Sequence, residues 1–184
     1  IGEGHIPVRD KFFSDQFSIK EIGDTLDNVT LLDLDSNKIS LYQYDGDYLL
    51  ISYIFSRCPM PNLCPAIFMK NKILANEFID ENKIKFILVS FDYKYDTPSV
   101  LKDLYEPSME ANTNLEVLSS TGYIEDIYQL VKQSGGDFWG VERGKIGHKL
   151  VSILVGPKKE VLGVWNGDKW EVSKVSNSIS MIIN

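Results

Sequence analysis

DYLLISYIFSRCPMPNLCPAIF, residues 47–68, runs from a strand pattern through both cysteines of the chain into a helix pattern. Its first part is apolar on both faces, which predicts a strand buried inside a covered sheet. Its last part favours a helix that begins near Pro65, because proline suits a first helical position. Cys58 and Cys64 lie between the two, with five residues separating them and a proline directly after each. A turn between a buried strand and a helix therefore carries both thiols.

Strand and helix patterns alternate on both sides of this stretch. Upstream, two alternating runs around Asp35-Ser36-Asn37 predict a β-hairpin. Downstream, we predict strands at 84–91, 115–119, 148–156 and 160–167, helices from Thr97, at 122–133 and from about Lys169, and a loop at 134–147. This order predicts an α/β fold with a mixed central β-sheet, helices on both of its faces and an added N-terminal β-hairpin.

Length and charge limit the classes of function. We expect one main domain, residues 25–184, after an irregular N-terminal segment, residues 1–24. The formal charge is −7, and an acidic chain without a Lys/Arg cluster argues against nucleic acid as the main partner. The longest apolar stretch is too short to cross a bilayer. Because the chain begins with Ile1 rather than Met, we expect that a preceding segment, such as an export signal or a membrane anchor, has been removed.

The position of the cysteines predicts reactive thiols. A thiol at a helix N-terminus lies in the positive end of the helix dipole, which favours the thiolate, and Cys64 is expected to feel this effect most. Arg57, beside the first cysteine, is expected to add to it. Pro59, Pro61 and Pro65 fix backbone angles and reduce the entropy lost when the sulfurs are held in place.

Paired cysteines occur in several kinds of site. A local structural disulfide or two unpaired core thiols are the simplest interpretation. Zinc fits poorly, because the chain does not supply four usual ligands, whereas Cu(I) accepts two thiolates and one imidazole. Of the two histidines, His5 lies in a polar stretch and is expected to be solvated. His148, where a glycine-containing loop enters an apolar strand, is the candidate third ligand.

Three separated segments resemble the SCO/SenC family, thioredoxin-fold copper proteins that serve the assembly of cytochrome c oxidase. They are LLISYIFSRCPMPNLCP, LVSFDYKYDTPSVLK and GHKLVSILVGPKKEVLGVWNG, and the resemblance spans roughly residues 25 to 183 in consistent order. The Asp-Thr-Pro segment is the most distinctive of the three. The family has three residues between its cysteines, whereas this chain has five.

The resemblance implies a single thioredoxin-like copper-binding domain. Its metal ligands would be Cys58, Cys64 and His148, and its cofactor copper, as Cu(I) and also as Cu(II). Expected partners are a copper-site recipient protein such as a cytochrome c oxidase subunit, and a copper donor or thiol reductant. The protein would deliver Cu(I) to the recipient or reduce its thiols. The resemblance places it outside the cytoplasm, either periplasmic or membrane-anchored facing outward, or in the mitochondrial intermembrane space of a eukaryote.

Other residues near these segments have more than one interpretation each. Met60 is either an extra soft ligand or a packing and partner contact. Asp92 and Asp96 are assigned to turn and capping chemistry in preference to supporting a metal site. The pair Phe138-Trp139 either shields the site, offers a partner surface or anchors the loop in the core.

An enzyme is the rival interpretation. Cys58 and Cys64 would then be the redox-active pair of a thioredoxin-like thiol–disulfide oxidoreductase or of a peroxidase. The Cys-x-x-Cys spacing of the first is absent. For the second, Ser56 lies near a cysteine, but the rest of the loop does not match. An interaction module on the same fold is a third alternative.

Overall fold

The computed structural model describes residues 16–60, 62–109 and 111–184. The described residues form nine strands and four α-helices. The strands are β1 (Thr30–Leu32), β2 (Lys38–Ser40), β3 (Tyr48–Ile54), β4 (Ile84–Ser90), β5 (Leu115–Ser119), β6 (Asp137–Trp139), β7 (Gly147–Lys149), β8 (Val151–Val155) and β9 (Val161–Asn166). The helices are α1 (Cys64–Glu77), α2 (Pro98–Met109), α3 (Ile124–Gln133) and α4 (Val172–Ile183).

Seven strands form one mixed sheet in the order β2-β1-β5-β4-β3-β8-β9. The central strands β3, β4 and β5 are parallel, and β8 and β9 are antiparallel to their neighbours. The predicted N-terminal hairpin is β1–β2, and β1 joins β5 at the antiparallel pair Leu32–Ser119. The mixed sheet and its added hairpin are therefore confirmed.

Two successive residues of β3 show that helices cover both faces of the sheet. Successive side chains of a strand point to opposite faces. The hydroxyl of Ser52 accepts a hydrogen bond from the Asn71 amide of α1 at 3.2 Å. The hydroxyl of Tyr53 donates to the Leu130 carbonyl of α3 at 3.2 Å. Helix α1 thus packs on one face and α3 on the other, as the alternation of patterns predicted.

The apolar runs of β3 and β4 lie at the centre of the core. Leu50, Ile54, Phe86 and Leu88 are fully buried, and truncating a side chain of this kind to alanine typically costs about 2–5 kcal/mol. A core of this density holds the carboxyl ends of both strands in fixed positions. The cysteine loop follows one of these ends directly.

The region before β8 differs from the prediction. Residues 137–139, expected in a loop, form β6, and the strand expected at 148–156 divides at Leu150. The first part, β7, pairs with β6 in a separate two-stranded sheet in which His148 lies opposite Phe138. Gly140 and Gly144, with positive φ angles of 79° and 65°, allow the chain to turn between the two strands. The two-stranded sheet, rather than the central sheet, therefore positions His148.

The N-terminal part of the chain is described only from residue 16. The backbone N–H of Lys20 donates to the Gln133 carbonyl at 2.9 Å, and that of Gly23 to the Val161 carbonyl at 2.9 Å. His5 and Pro61 lie outside the described residues, and the boundary at residues 24 and 25 stays a prediction. Within the described ranges, every helix is too short or too polar to cross a membrane.

Candidate metal centre

The turn after β3 brings the two cysteines together. Cys58 is partly exposed, while Cys64, the first residue of α1, is 1% exposed. Both are free thiols, and Cys58 Sγ donates a hydrogen bond to the Met60 carbonyl at 3.7 Å. Both also line one cavity of about 300 Å³ at the α1–α2 side of the loop. Two sulfur donors thus meet in one accessible place.

The ionisation of Cys64 differs from the expectation. Burial raises the pKa of this thiol well above its ordinary value, and the neighbouring Cys58 adds to the shift. A hydrogen bond with the Phe55 backbone acts in the opposite direction but is the smaller effect. Desolvation of a charged sulfur therefore outweighs the helix dipole, and Cys64 is a neutral thiol in the metal-free protein. A metal that binds here must displace its proton.

Arg57 also has a different role from the predicted one. Its Nε donates to Asp92 Oδ2 at 2.8 Å, and its guanidinium lies 4.9 Å from the ring centre of Tyr95. Asp92 is fully buried, so the guanidinium compensates a carboxylate that would otherwise be costly to bury. The charge of Arg57 is thus directed to Asp92 rather than to a thiolate.

Asp96 holds the beginning of the cysteine loop. Its carboxylate accepts hydrogen bonds from the Ser56 backbone N–H at 2.8 Å, from the Ser56 hydroxyl, and from the Ser90 hydroxyl at 2.5 Å. Burial raises the pKa of Asp96, which these hydrogen bonds partly oppose. The predicted turn chemistry is present in Asp92, which accepts from the Tyr95 backbone N–H at 3.2 Å. Both aspartates, however, also fix the loop that carries Cys58.

His148 lies close to the loop but apart from the two sulfurs. Its ring centre is 5.6 Å from that of Phe55 and 5.9 Å from that of Phe91. Burial lowers its pKa, so the imidazole is neutral at pH 7 and keeps a lone pair for a metal. Across the described part of the chain, no three His, Cys, Asp or Glu side chains stand close enough to hold a metal ion. The three-ligand set of Cys58, Cys64 and His148 stays a prediction, with Phe55 next to all three.

A second cavity, of about 580 Å³, shares Phe55 with the first. Trp139 forms part of its wall together with Arg57, Pro59 and Gly147. Phe138 is buried and stacks on Tyr128 with ring centres 4.3 Å apart. The aromatic pair is therefore divided, because Phe138 anchors the two-stranded sheet while Trp139 lies beside the cysteine loop.

Sequence reasoning missed two features of the site. The pairing of Ser56 with Asp96 joins residues 40 positions apart, and no local pattern predicts it. Met69 lines the thiol cavity and is 50% exposed, although the helical pattern gave it no role. Its position five residues after Cys64 on a helix is the one signal that would have drawn attention to it.

Solved structures share this fold. A SCO1/SenC family lipoprotein from Bacillus anthracis aligns with a TM-score of 0.77 and 16% identity, over 91% of this chain and 100% of that chain. BsSco is a member of the Sco family of cytochrome c oxidase assembly proteins in which a disulfide switch was identified. It aligns with a TM-score of 0.67 and 24% identity, over 89% of this chain and 96% of that chain. Arabidopsis thaliana ScoI with copper bound aligns with a TM-score of 0.67 and 19% identity, over 89% of this chain and 98% of that chain. The fold is thioredoxin-like, as the resemblance predicted.

Comparison of the sequence with family models identifies the family. No curated protein matches the sequence. The SCO1/SenC family model matches residues 21–184, which is nearly the whole chain and agrees with the predicted span of 25 to 183. The chain therefore belongs to the SCO1/SenC family.

Proposed function

We propose that this protein binds Cu(I) and passes it to the copper site of another protein. The observation that carries the proposal is the pair of free thiols that line one cavity at the end of β3. Cu(I) is a soft ion that prefers thiolates and accepts a low coordination number. A copper-bound structure of a relative, Arabidopsis thaliana ScoI, supports copper as the ligand.

The proposed ligands are Cys58, Cys64 and His148. Binding through both cysteines converts two thiols into thiolates and releases two protons, while the copper remains Cu(I). The imidazole of His148 is already neutral and binds without proton release. Coordination by all three would be reached by a shift of the cysteine loop or of β7, because no three His, Cys, Asp or Glu side chains among the described residues lie close enough together to hold a metal ion.

Transfer would proceed by ligand exchange. Sulfur donors of the recipient replace Cys58 and Cys64 one at a time, so the ion is never without a ligand. Cys58 is the more exposed of the two and is the natural first point of exchange. BsSco belongs to a family of cytochrome c oxidase assembly proteins, which supports cytochrome c oxidase as the recipient. The similarity to a lipoprotein from Bacillus anthracis supports a location outside the cytoplasm.

Thiol–disulfide exchange is the second candidate function. Two free thiols that line one cavity can reduce a disulfide in a recipient, which yields two recipient thiols and one Cys58–Cys64 disulfide. The disulfide switch identified in BsSco supports this role. The peroxidase alternative has less support, because the Ser56 hydroxyl donates its hydrogen bond to Asp96 rather than to a thiol.

A paired measurement on the His148→Ala variant tests the proposal. One equivalent of Cu(I) should bind to reduced wild-type protein, with sulfur and nitrogen scattering in X-ray absorption. We expect the variant to bind Cu(I) at least about 10–100-fold more weakly, or about 1.4–2.8 kcal/mol, in competition with a chelator. Its disulfide reduction potential should change little, since the disulfide contains no imidazole. His5→Ala, the other histidine, is the matched control.

Two results would contradict this assignment. An unchanged Cu(I) affinity in the variant would remove His148 from the site and leave thiol exchange as the better function. A shell of four sulfurs, or of oxygen and nitrogen alone, in a monomeric protein would exclude the three-ligand centre.

A further inference from the structure

The cavity that both thiols line offers an ion access to them. It opens between α1 and α2, with Phe68 and Met69 on one helix and Leu104 and Tyr105 on the other. Cys64 is almost completely buried, so access to its sulfur runs through this cavity. An ion that enters the cavity therefore meets the residues at its opening before it reaches the thiols.

The described residues that line this cavity carry no charged side chain. A hard cation finds no carboxylate there, and an anion finds no ammonium or guanidinium. Besides the two thiols, the soft donor in the wall is the thioether of Met69. The chemistry of the cavity thus suits a soft monovalent ion such as Cu(I).

A second methionine flanks the same thiols. Met60 lies on the cysteine loop, and Cys58 Sγ donates to its carbonyl oxygen at 3.7 Å. Met60 is 58% exposed, and two of the four methionines of the chain thus flank the cysteines with half-exposed side chains. Met109, by contrast, packs against the core. A methionine has three rotatable bonds and a polarisable sulfur, so both thioethers can adapt to an incoming ion.

From these positions we propose that Met60 and Met69 form an entry site, in which their thioethers hold Cu(I) before Cys58 and Cys64 take it. The inference rests on the proposed copper-binding function and adds a step to it. A thioether carries no proton, so it accepts Cu(I) without proton release, whereas a thiol must lose its proton first. A neutral thioether is also a weaker donor than a thiolate, so the ion moves inward.

Each step is a ligand exchange without oxidation or reduction. First, bonds from Cu(I) to a small donor ligand break as bonds to the two thioethers form. Then two copper–thiolate bonds form as the copper–thioether bonds break, and the two thiol protons pass to solvent. Copper remains Cu(I) throughout both steps.

The rate of copper uptake gives the first test. Reduced protein is mixed with Cu(I) bicinchoninate, and the loss of the coloured complex is followed in a stopped-flow instrument. The Met60→Leu/Met69→Leu variant keeps both side chains apolar and close to their original volume but removes the sulfur donors. We expect uptake to be slower by about an order of magnitude, an increase of about 1.4 kcal/mol in the barrier, with little change in the final affinity. Met181→Leu, on α4 and 83% exposed, is the matched control and should load at the wild-type rate.

A second test does not depend on the cysteines. In a Cys58→Ser/Cys64→Ser variant with ¹³C-labelled methionine methyl groups, one equivalent of Ag(I), a redox-inert substitute for Cu(I), should shift the Met60 and Met69 signals and leave that of Met181 in place. Wild-type uptake rates in the double leucine variant, or unshifted Met60 and Met69 signals, would overturn the entry site. The proposed function fails separately, if reduced wild-type protein takes no Cu(I) from the chelator.

Discussion

Asp96 holds Ser56 through both its backbone N–H, at 2.8 Å, and its hydroxyl group. Ser56 lies two residues before Cys58, and Asp96 directly precedes Thr97, whose hydroxyl accepts a hydrogen bond from the Val100 N–H in the first turn of α2. The carboxylate thus connects the cysteine loop to the start of a helix that forms one wall of the thiol cavity.

We therefore expect the Asp96→Asn variant to fold but to lose both stability and copper affinity. The amide keeps the shape but offers one acceptor oxygen in place of two, so a buried serine donor loses its partner, at a cost of about 1–3 kcal/mol. Because the loop is held less firmly, Cu(I) binding should weaken about 10–100-fold, which is the usual effect of mutating residues that support the ligands of a metal site. Urea unfolding and chelator competition measure the two effects.

Ser120→Ala is the matched control for this variant. The Ser120 hydroxyl is buried nearby and donates to the Ser90 carbonyl at 2.7 Å, but it does not contact the loop. It should lower stability with little change in copper affinity. Equal copper affinities in both variants would show that Asp96 serves stability alone.

Gly147 fixes the distance between Trp139 and the strand that carries His148. A Cβ at this position would overlap the indole ring of Trp139. We expect Gly147→Ala to displace the ring and with it His148, and to weaken Cu(I) binding while the disulfide potential changes little. Gly163→Ala, whose Cβ would lie 2.9 Å from the ring of Trp165 on β9, is the matched control. A loss of affinity in the control as large as in Gly147→Ala would contradict the explanation.

The two thiols should react at different rates in the metal-free protein. Cys58 is partly exposed, whereas burial raises the pKa of Cys64, and each unit by which a pKa is raised lowers the thiolate fraction roughly tenfold. Limiting iodoacetamide at neutral pH should therefore modify Cys58 first. Peptide mass spectrometry identifies the site, and labelling in urea, where burial is lost, should equalise the rates. Preferential labelling of Cys64 in the folded protein would contradict the burial argument.

Stability should depend on pH through His148. Burial lowers its pKa below the ordinary value of 6.5, so the folded protein binds this proton less readily than the unfolded chain does. The contribution to stability is complete above pH 6.5 and is lost as the pH falls through the lowered pKa, with a slope of at most about 1.4 kcal/mol per pH unit.

The His148→Gln variant tests this relation. The free energy of unfolding of the metal-free variant should fall less steeply below pH 6.5 than that of wild-type protein. His5→Gln should leave the wild-type slope unchanged. Parallel pH profiles of wild type and His148→Gln would show that burial does not control this titration.

The sequence by itself predicted the central strands, the helices and the position of the thiol pair. The unbroken apolar runs of β3 and β4 predicted buried parallel strands, because only a sheet covered on both faces buries every residue of such a run. The spacing of Cys58 and Cys64, between a strand and a proline that begins a helix, predicted a thiol pair at the end of a central strand. These features are local, so they can be read from neighbouring residues.

Only the tertiary structure decided which groups act on the thiols. The helix dipole was a local argument for a thiolate at Cys64, but burial by residues distant in sequence outweighs it, since desolvation depends on the whole surrounding fold. Arg57 was a local argument of the same kind, and its charge is directed instead to Asp92, 35 residues away. The pairing of β7 with β6 moved His148 from the central sheet to a separate two-stranded one. Hydrogen bonds and burial of this kind join segments far apart in the chain, and their energies exist only once those segments have packed together.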